Sequence, residues 1–98
     1  MSPRETFVLE SIVSLVRERL HPSRIILFGS RAKGAAGLGA DFDLAVDKPG
    51  VPFRERRELK DAIESLSGLY SVDLVFMDSL EKGFRELVLS TGRVVYEG

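Results

Sequence analysis

Two aspartates one residue apart, Asp41 and Asp43, follow the most glycine-rich stretch of the chain, and a third, Asp73, interrupts the apolar run Val72-Asp73-Leu74-Val75-Phe76. In extended backbone a spacing of two puts both members of the first pair on one face, about 7 Å apart at the backbone. Paired carboxylates suit Mg²⁺, which takes oxygen ligands in octahedral geometry and keeps waters and substrate phosphates in its shell. An isolated Asp-x-Asp is more often a solvated strand edge. Aspartate is a poor strand former, however, and this pair stands among apolar Phe42, Leu44 and Val46. Asp73 raises a similar question, because a charge inside an apolar strand is costly unless it is paired, hydrogen-bonded or metal-bound. A salt bridge or an edge position would also account for it. Three clustered carboxylates repel, and a divalent cation reverses that balance, which is the coupling used by two-metal phosphoryl-transfer sites.

A third feature is Gly29-Ser30, at the end of the β-branched run Arg24-Ile25-Ile26-Leu27-Phe28. Glycine lets the backbone approach a ligand closely, and a helix start beyond it would point free amides outward at a phosphate. A plain serine-capped turn is the simpler reading of those two residues alone. Two familiar phosphate signatures fail. Gly29-Ser30-Arg31-Ala32-Lys33-Gly34 has the outer glycines of a P-loop, but Ala35-Ala36 stands where Lys-Ser/Thr is required. Gly37-Leu38-Gly39 opens a dinucleotide fingerprint whose last glycine is replaced by Phe42.

The rest of the composition narrows the chemistry. Cysteine is absent and His21 is the only histidine, which excludes disulfide scaffolds, thiolate catalysis and zinc sites built on Cys or paired His. Lys+Arg number 14 against 15 Asp+Glu, for a net charge of −1, so no bulk positive field recruits nucleic acid or anionic lipid. No apolar run approaches the roughly 20 residues that span a bilayer. Glu5, Glu10 and Glu18 break the apolar stretch at the start, as no secretory leader would allow, and a cytoplasmic location is expected. With 98 residues and 44% hydrophobic content the chain is expected to form a single domain, 1–98.

The elements that must position these groups are legible in outline. Ser2, Pro3 and Glu5 form a capping box ahead of a helix with Leu9, Ile12, Val13, Val16 and Leu20 on one face, ended by Pro22. Residues 24–28 read as a buried strand, then a tight turn at Gly29-Ser30, a turn or two of helix from Arg31, and a loop. Residues 41–46 read as a strand with Phe42, Leu44 and Val46 on one face and Asp41 and Asp43 on the other. A turn at 47–50 leads to a helix from about Pro52 to Gly68, and residues 72–77 give a third strand. Asp78-Ser79-Leu80-Glu81 resembles another capping box, opening a helix with Leu80, Phe84, Leu87 and Val88. Gly92 closes it before a short edge strand, 93–96. The short link between the first two strands permits an antiparallel pair, so the fold class is α/β (α+β), a mixed sheet with helices packed on it.

A glycine-serine turn, two carboxylates on the next strand and one on a third make a recognisable layout. Gly29-Ser30-Arg31-Ala32-Lys33-Gly34, six residues, then Asp41-Phe42-Asp43-Leu44 closely resembles the minimal nucleotidyltransferases of the DNA polymerase β-like superfamily, with their Gly-Ser-x-Ala-Arg/Lys-Gly and Asp-x-Asp-Leu signature. The strand around Asp73 and the ending Gly92-Arg93-Val94-Val95-Tyr96 resemble the same family, so the likeness runs over essentially the whole chain. It implies the nucleotidyltransferase fold. Gly29 and Ser30 would hold a nucleotide triphosphate, with ATP as donor. Asp41 and Asp43 would bind two Mg²⁺ ions, and Asp73 would complete the metal site and help deprotonate an attacking hydroxyl. Arg31 and Lys33 would neutralise phosphate charge or lie on a solvated helix face. One departure is Ala40, where the family usually has serine before the first aspartate; a secondary hydrogen bond is lost and no carboxylate is missing. Family members commonly pair with a small helical HEPN protein as toxin–antitoxin systems, and some transfer AMP to a tyrosine of that partner. The resemblance thus implies an antitoxin adenylyltransferase with no membrane or direct nucleic-acid partner. A non-catalytic module that neutralises a partner by complex formation is the alternative, and a small-molecule transferase a third reading.

Other residues are assigned ordinary roles. His21 is expected to cap the first helix, Asp47 and Asp78 to sit at a turn and a cap, and Arg54-Glu55-Arg56-Arg57-Glu58 to form a solvated helix face. Phe53, Leu80 and Tyr96 are apolar groups that could dock a partner, with core packing the expected use of the first two, and Tyr70 is expected in packing.

Overall fold

The computed structural model describes residues 2–29, 42–68 and 70–98. The first helix, α1 (Pro3–Leu20), begins as its sequence dictates. The Glu5 amide donates to the Ser2 hydroxyl and the Glu5 carboxylate accepts from the Ser2 amide, both at 3.2 Å, so two otherwise orphaned donors are satisfied reciprocally. It ends at His21, whose left-handed backbone (φ 49°) lets its amide reach the Arg17 carbonyl. Strands β1 (Arg24–Phe28) and β2 (Phe42–Asp47) follow, then helix α2 (Phe53–Ser67), strand β3 (Val72–Phe76), a single 3₁₀ turn at Met77–Ser79, helix α3 (Lys82–Thr91) and strand β4 (Arg93–Glu97).

The strands form one mixed sheet in the order β3-β2-β1-β4. β1 pairs antiparallel with β2 and with β4, the latter through an irregularity between Ile25 and Ile26. β2 and β3 are parallel, as the intervening crossover helix α2 requires. α1 and α2 cover one face and build the main core, where Ile12, Val16, Ile25, Leu27, Phe42, Leu44 and Val46 are fully buried. Burying each such side chain contributes roughly 1.5–3 kcal/mol. The other face carries a smaller cluster of Ile26, Ala45, Met77 and Val88 under α3. The period of two in β2 therefore divides Phe42, Leu44 and Val46 from Asp43, Ala45 and Asp47, and only the second face is thinly covered. Among the described residues no helix is long and apolar enough to cross a membrane.

Several local expectations are corrected. Asp47 is the last residue of β2 rather than part of a turn; it lies opposite Arg24, whose Nε and Nη2 both donate to its Oδ2, at 3.1 and 2.8 Å. β3 stops at Phe76, and the capping box over 78–81 does not form: Glu81 precedes α3 with no side-chain cap. The reason is competition, since the Asp78 carboxylate is taken by Arg56 at 2.8 and 2.9 Å and by the Gly50 amide at 3.1 Å. Arg56 consequently leaves the solvated face assigned to it. Its guanidinium also donates to the Val51 carbonyl and the Ser79 hydroxyl and lies 4.4 Å from the centre of the Phe76 ring. Phe53, expected in the core, is 80% exposed. Tyr96 is half-buried and packs against the main core, while Tyr70 meets Phe42 edge to face as expected of a packing residue.

Candidate active site

Register brings the carboxylates together. Asp43 on β2 lies directly opposite Asp73 on β3, and opposite Phe28 on β1. Residues opposite one another across a ladder share a face, with Cβ atoms about 5 Å apart. Asp43 and Asp73 thus stand side by side on the thinly covered face, at the end of the sheet where β1 runs into Gly29. Asp43 is half-buried between two neighbouring strands; Asp73 is exposed on an edge strand. Of the readings left open for Asp73, the structure shows the edge position and not burial among its apolar neighbours. An edge position lets the charge keep its water, so no buried partner is required.

Gly29 completes the described part of the site. Its φ of +74° lies in the left-handed region, and a Cβ built there would stand 2.5 Å from Asp43 Oδ2. Both facts demand glycine, and both place the main chain leaving β1 directly against a carboxylate. Phe28, which precedes this turn on β1, meets Phe84 of α3 edge to face, with ring centroids 5.8 Å apart and planes at 87°. Ser30, Arg31, Lys33 and Asp41 lie outside the described residues. Among those described, no group of three His, Cys, Asp or Glu gathers as a metal cluster, so Asp43 and Asp73 stand as a pair.

Two further ion pairs among the described residues are structural. Arg24–Asp47 ties the far end of β1 to β2, and Arg56–Asp78 ties α2 to the turn after β3. The Arg56 guanidinium, helped by the Gly50 amide, holds the Asp78 carboxyl below its ordinary value. Arg56 had no local signal in the sequence, because its partner lies 22 residues away. The trough between β3 and α2 had no signal in the sequence; its two lobes, of about 370 and 590 Å³, are both lined by Lys60, Asp73 and Leu74.

Comparison with known proteins finds relatives in both sequence and fold. The family model "Polymerase beta, Nucleotidyltransferase" matches residues 10–98. The protein adenylyltransferase MntA of Thermococcus cleftensis is 38% identical over 93 residues, covering 90% of this chain and 91% of that protein. Among solved structures, a toxin–antitoxin with AMP-PNP superposes with a TM-score of 0.77 at 26% identity, covering 91% of this chain and 73% of that one. A structure of the tri-AMPylated HEPN toxin of Shewanella oneidensis with its MNT antitoxin shares the fold, with a TM-score of 0.73 at 24% identity over 95% of this chain and 72% of that one. An in-register pair of aspartates, a glycine turn pressed against one of them and a match over nearly the whole sequence lead to one assignment: the chain belongs to the polymerase β nucleotidyltransferase family, as a minimal nucleotidyltransferase akin to MntA.

Proposed function

We propose that this nucleotidyltransferase moves AMP from ATP onto a hydroxyl in a Mg²⁺-dependent reaction, that the acceptor is a tyrosine of a HEPN-type helical toxin, and that the chain acts as the corresponding antitoxin. The observation that carries the reading is the register of Asp43 with Asp73, with Gly29 against the Asp43 carboxylate. The identity to a protein adenylyltransferase supports the donor and the reaction, and the likeness to a toxin–antitoxin chain with AMP-PNP supports the partner.

The donor set fits magnesium: two carboxylates on one face supply hard oxygens, and the absence of a side chain at Gly29 leaves the approach to one of them clear. Asp43 and Asp73, joined by Asp41, would hold the ions. When bound, two Mg²⁺ offset the negative charge of the phosphates and favour the ionised form of an attacking hydroxyl. The chain's own residues then do the following. Gly29 and Ser30 offer backbone and hydroxyl donors to the triphosphate, and Arg31 and Lys33 balance its charge. Asp73, exposed at the sheet edge, receives the proton of the acceptor hydroxyl. The acceptor oxygen forms its bond to the α-phosphorus as the bond to the β-phosphate oxygen breaks, and pyrophosphate leaves with that electron pair. Positioning and charge stabilisation are the protein's contribution.

The test is transfer of label from α-labelled ATP to the toxin partner, with and without Mg²⁺. Label should enter the partner, require the metal and vanish in the Asp41→Ala/Asp43→Ala variant, which should also fail to neutralise the toxin. Full neutralisation by that variant would establish the alternative, a binding module that acts without catalysis.

A further inference from the structure

The Phe42 amide donates to the Ser71 carbonyl, and Phe42 lies opposite Val72. In a parallel ladder this phase turns the amides and carbonyls of Asp73 and Val75 toward β2, and those of Val72 and Leu74 outward. Among the described residues no strand lies beyond β3. That outward edge is the floor of the trough described above, and α2 is its wall. Phe53, Arg57, Lys60 and Glu64, spaced four, three and four apart, form one stripe along the wall. Phe53 and Arg57 line the lobe that holds Phe76, Glu64 the lobe that holds Val72, and Lys60 both. Arg57 and Lys60 make no side-chain ion pair with the described residues.

We propose that this edge is the acceptor dock: an extended segment of the acceptor protein adds to β3 as an antiparallel strand, with its hydroxyl residue opposite Asp73. The proposal rests on the transferase reading above and specifies the acceptor's chemistry. A residue opposite Asp73 shares the face of Asp73 and Asp43, so its hydroxyl is delivered to the carboxylates. Because Asp73 turns its own backbone inward, the pair it makes with an antiparallel guest is the non-hydrogen-bonded kind, in which side chains approach closest. The residue before the hydroxyl lies opposite Leu74 and points to the α2 side, toward Lys60 and Arg57, where an acidic side chain fits. The residue after it lies opposite Val72 and faces Glu64, where a basic one fits. Two positions before the acidic residue, opposite Phe76, an apolar side chain meets the exposed Phe53 ring. The step itself is unchanged, with the guest hydroxyl's proton passing to Asp73 and pyrophosphate leaving.

The probes are two peptides of identical composition, Thr-Leu-Thr-Glu-Tyr-Lys-Thr and Thr-Leu-Thr-Lys-Tyr-Glu-Thr, titrated into isotope-labelled protein with amide hydrogen exchange and Kd as readouts. The Glu-Tyr-Lys order should bind roughly tenfold more tightly and slow exchange at Val72 and Leu74. N-methylation of its Glu amide should abolish binding. The preference should reverse in Arg57→Glu/Lys60→Glu, two exposed positions whose change leaves the core untouched. Equal binding of the two orders, the opposite preference, or binding without protection at Val72 and Leu74 overturns the dock. Label from α-labelled ATP is followed in the same samples. A peptide that protects β3 but takes no label counts against the transferase reading alone, and one that takes label without protecting β3 counts against the dock alone.

Discussion

Gly29→Ala is the sharpest test of the site, because two separate penalties can be read from its geometry and one can be subtracted. An alanine at φ +74° costs about 1–2 kcal/mol in backbone strain. Its Cβ would also stand 2.5 Å from Asp43 Oδ2, whereas ordinary contact begins at 3.4 Å. The carboxylate must therefore retreat by roughly 1 Å, and a displacement of that size at a reacting centre costs about 100-fold in rate. Gly50 supplies the control: its φ is +77°, and a Cβ there meets nothing within 4 Å. Gly50→Ala should lower Tm by roughly 4–16 °C through strain alone and leave transfer intact below that temperature. Gly29→Ala should lower Tm at least as much and reduce transfer of α-label from ATP about 100-fold. Parallel melts and initial rates of both variants decide the matter. Transfer by Gly29→Ala within twofold of Gly50→Ala would mean that Asp43 does not work from the position that Gly29 fixes.

Other consequences follow from the same residues. Asp73→Asn removes one of two like charges standing opposite each other, so without metal it should raise stability by about 0.2–1 kcal/mol while abolishing transfer, measured by calorimetry and label incorporation. Saturating Mg²⁺ should raise the melting temperature of the native chain by mass action, about 2.7 kcal/mol at 100 times Kd, and that gain should disappear in Asp43→Asn. Arg56→Ala loses its hydrogen bonds to Asp78, Ser79 and the Val51 carbonyl, and should destabilise by about 1–3 kcal/mol in urea. The Asp78 carboxyl titrates below its ordinary 3.8 when folded, so the stability it adds is complete above that pH and fades as pH falls through the lower, folded value. Acid unfolding of Arg56→Ala should show a smaller part of this component, the Gly50 amide alone remaining on Asp78.

What the sequence disclosed was whatever depends on neighbours along the chain. Ser2, Pro3 and Glu5 act within one helical turn, so the start of α1 could be read directly, and the alternation of Phe42, Leu44 and Val46 set the buried face of β2. The family signature at Gly29 and Asp43 worked for the same reason. What stayed hidden depends on pairing between distant segments. For Asp73 the apolar flanks left burial and an edge position both open; the strand order decides for the edge. Arg56 looked solvated because its own stretch mixes signs, and the Asp78 that captures it looked like a cap for the same lack of a local cue. Phe53 was assigned to the core by its type, yet the helix phase carries it outward.

The parallel pairing of β2 with β3 carries a last implication for how the molecule comes into being. Its two aligned acids sit on strands that cannot meet by a tight hairpin, since all of α2 must coil and lie down between them. A nascent or partly collapsed chain can pair β1 with β2 early and still lack Asp73, one of the three proposed ligands. Competence for chemistry is thus deferred until the crossover is complete, and an immature copy is silent by topology, with no inhibitor needed.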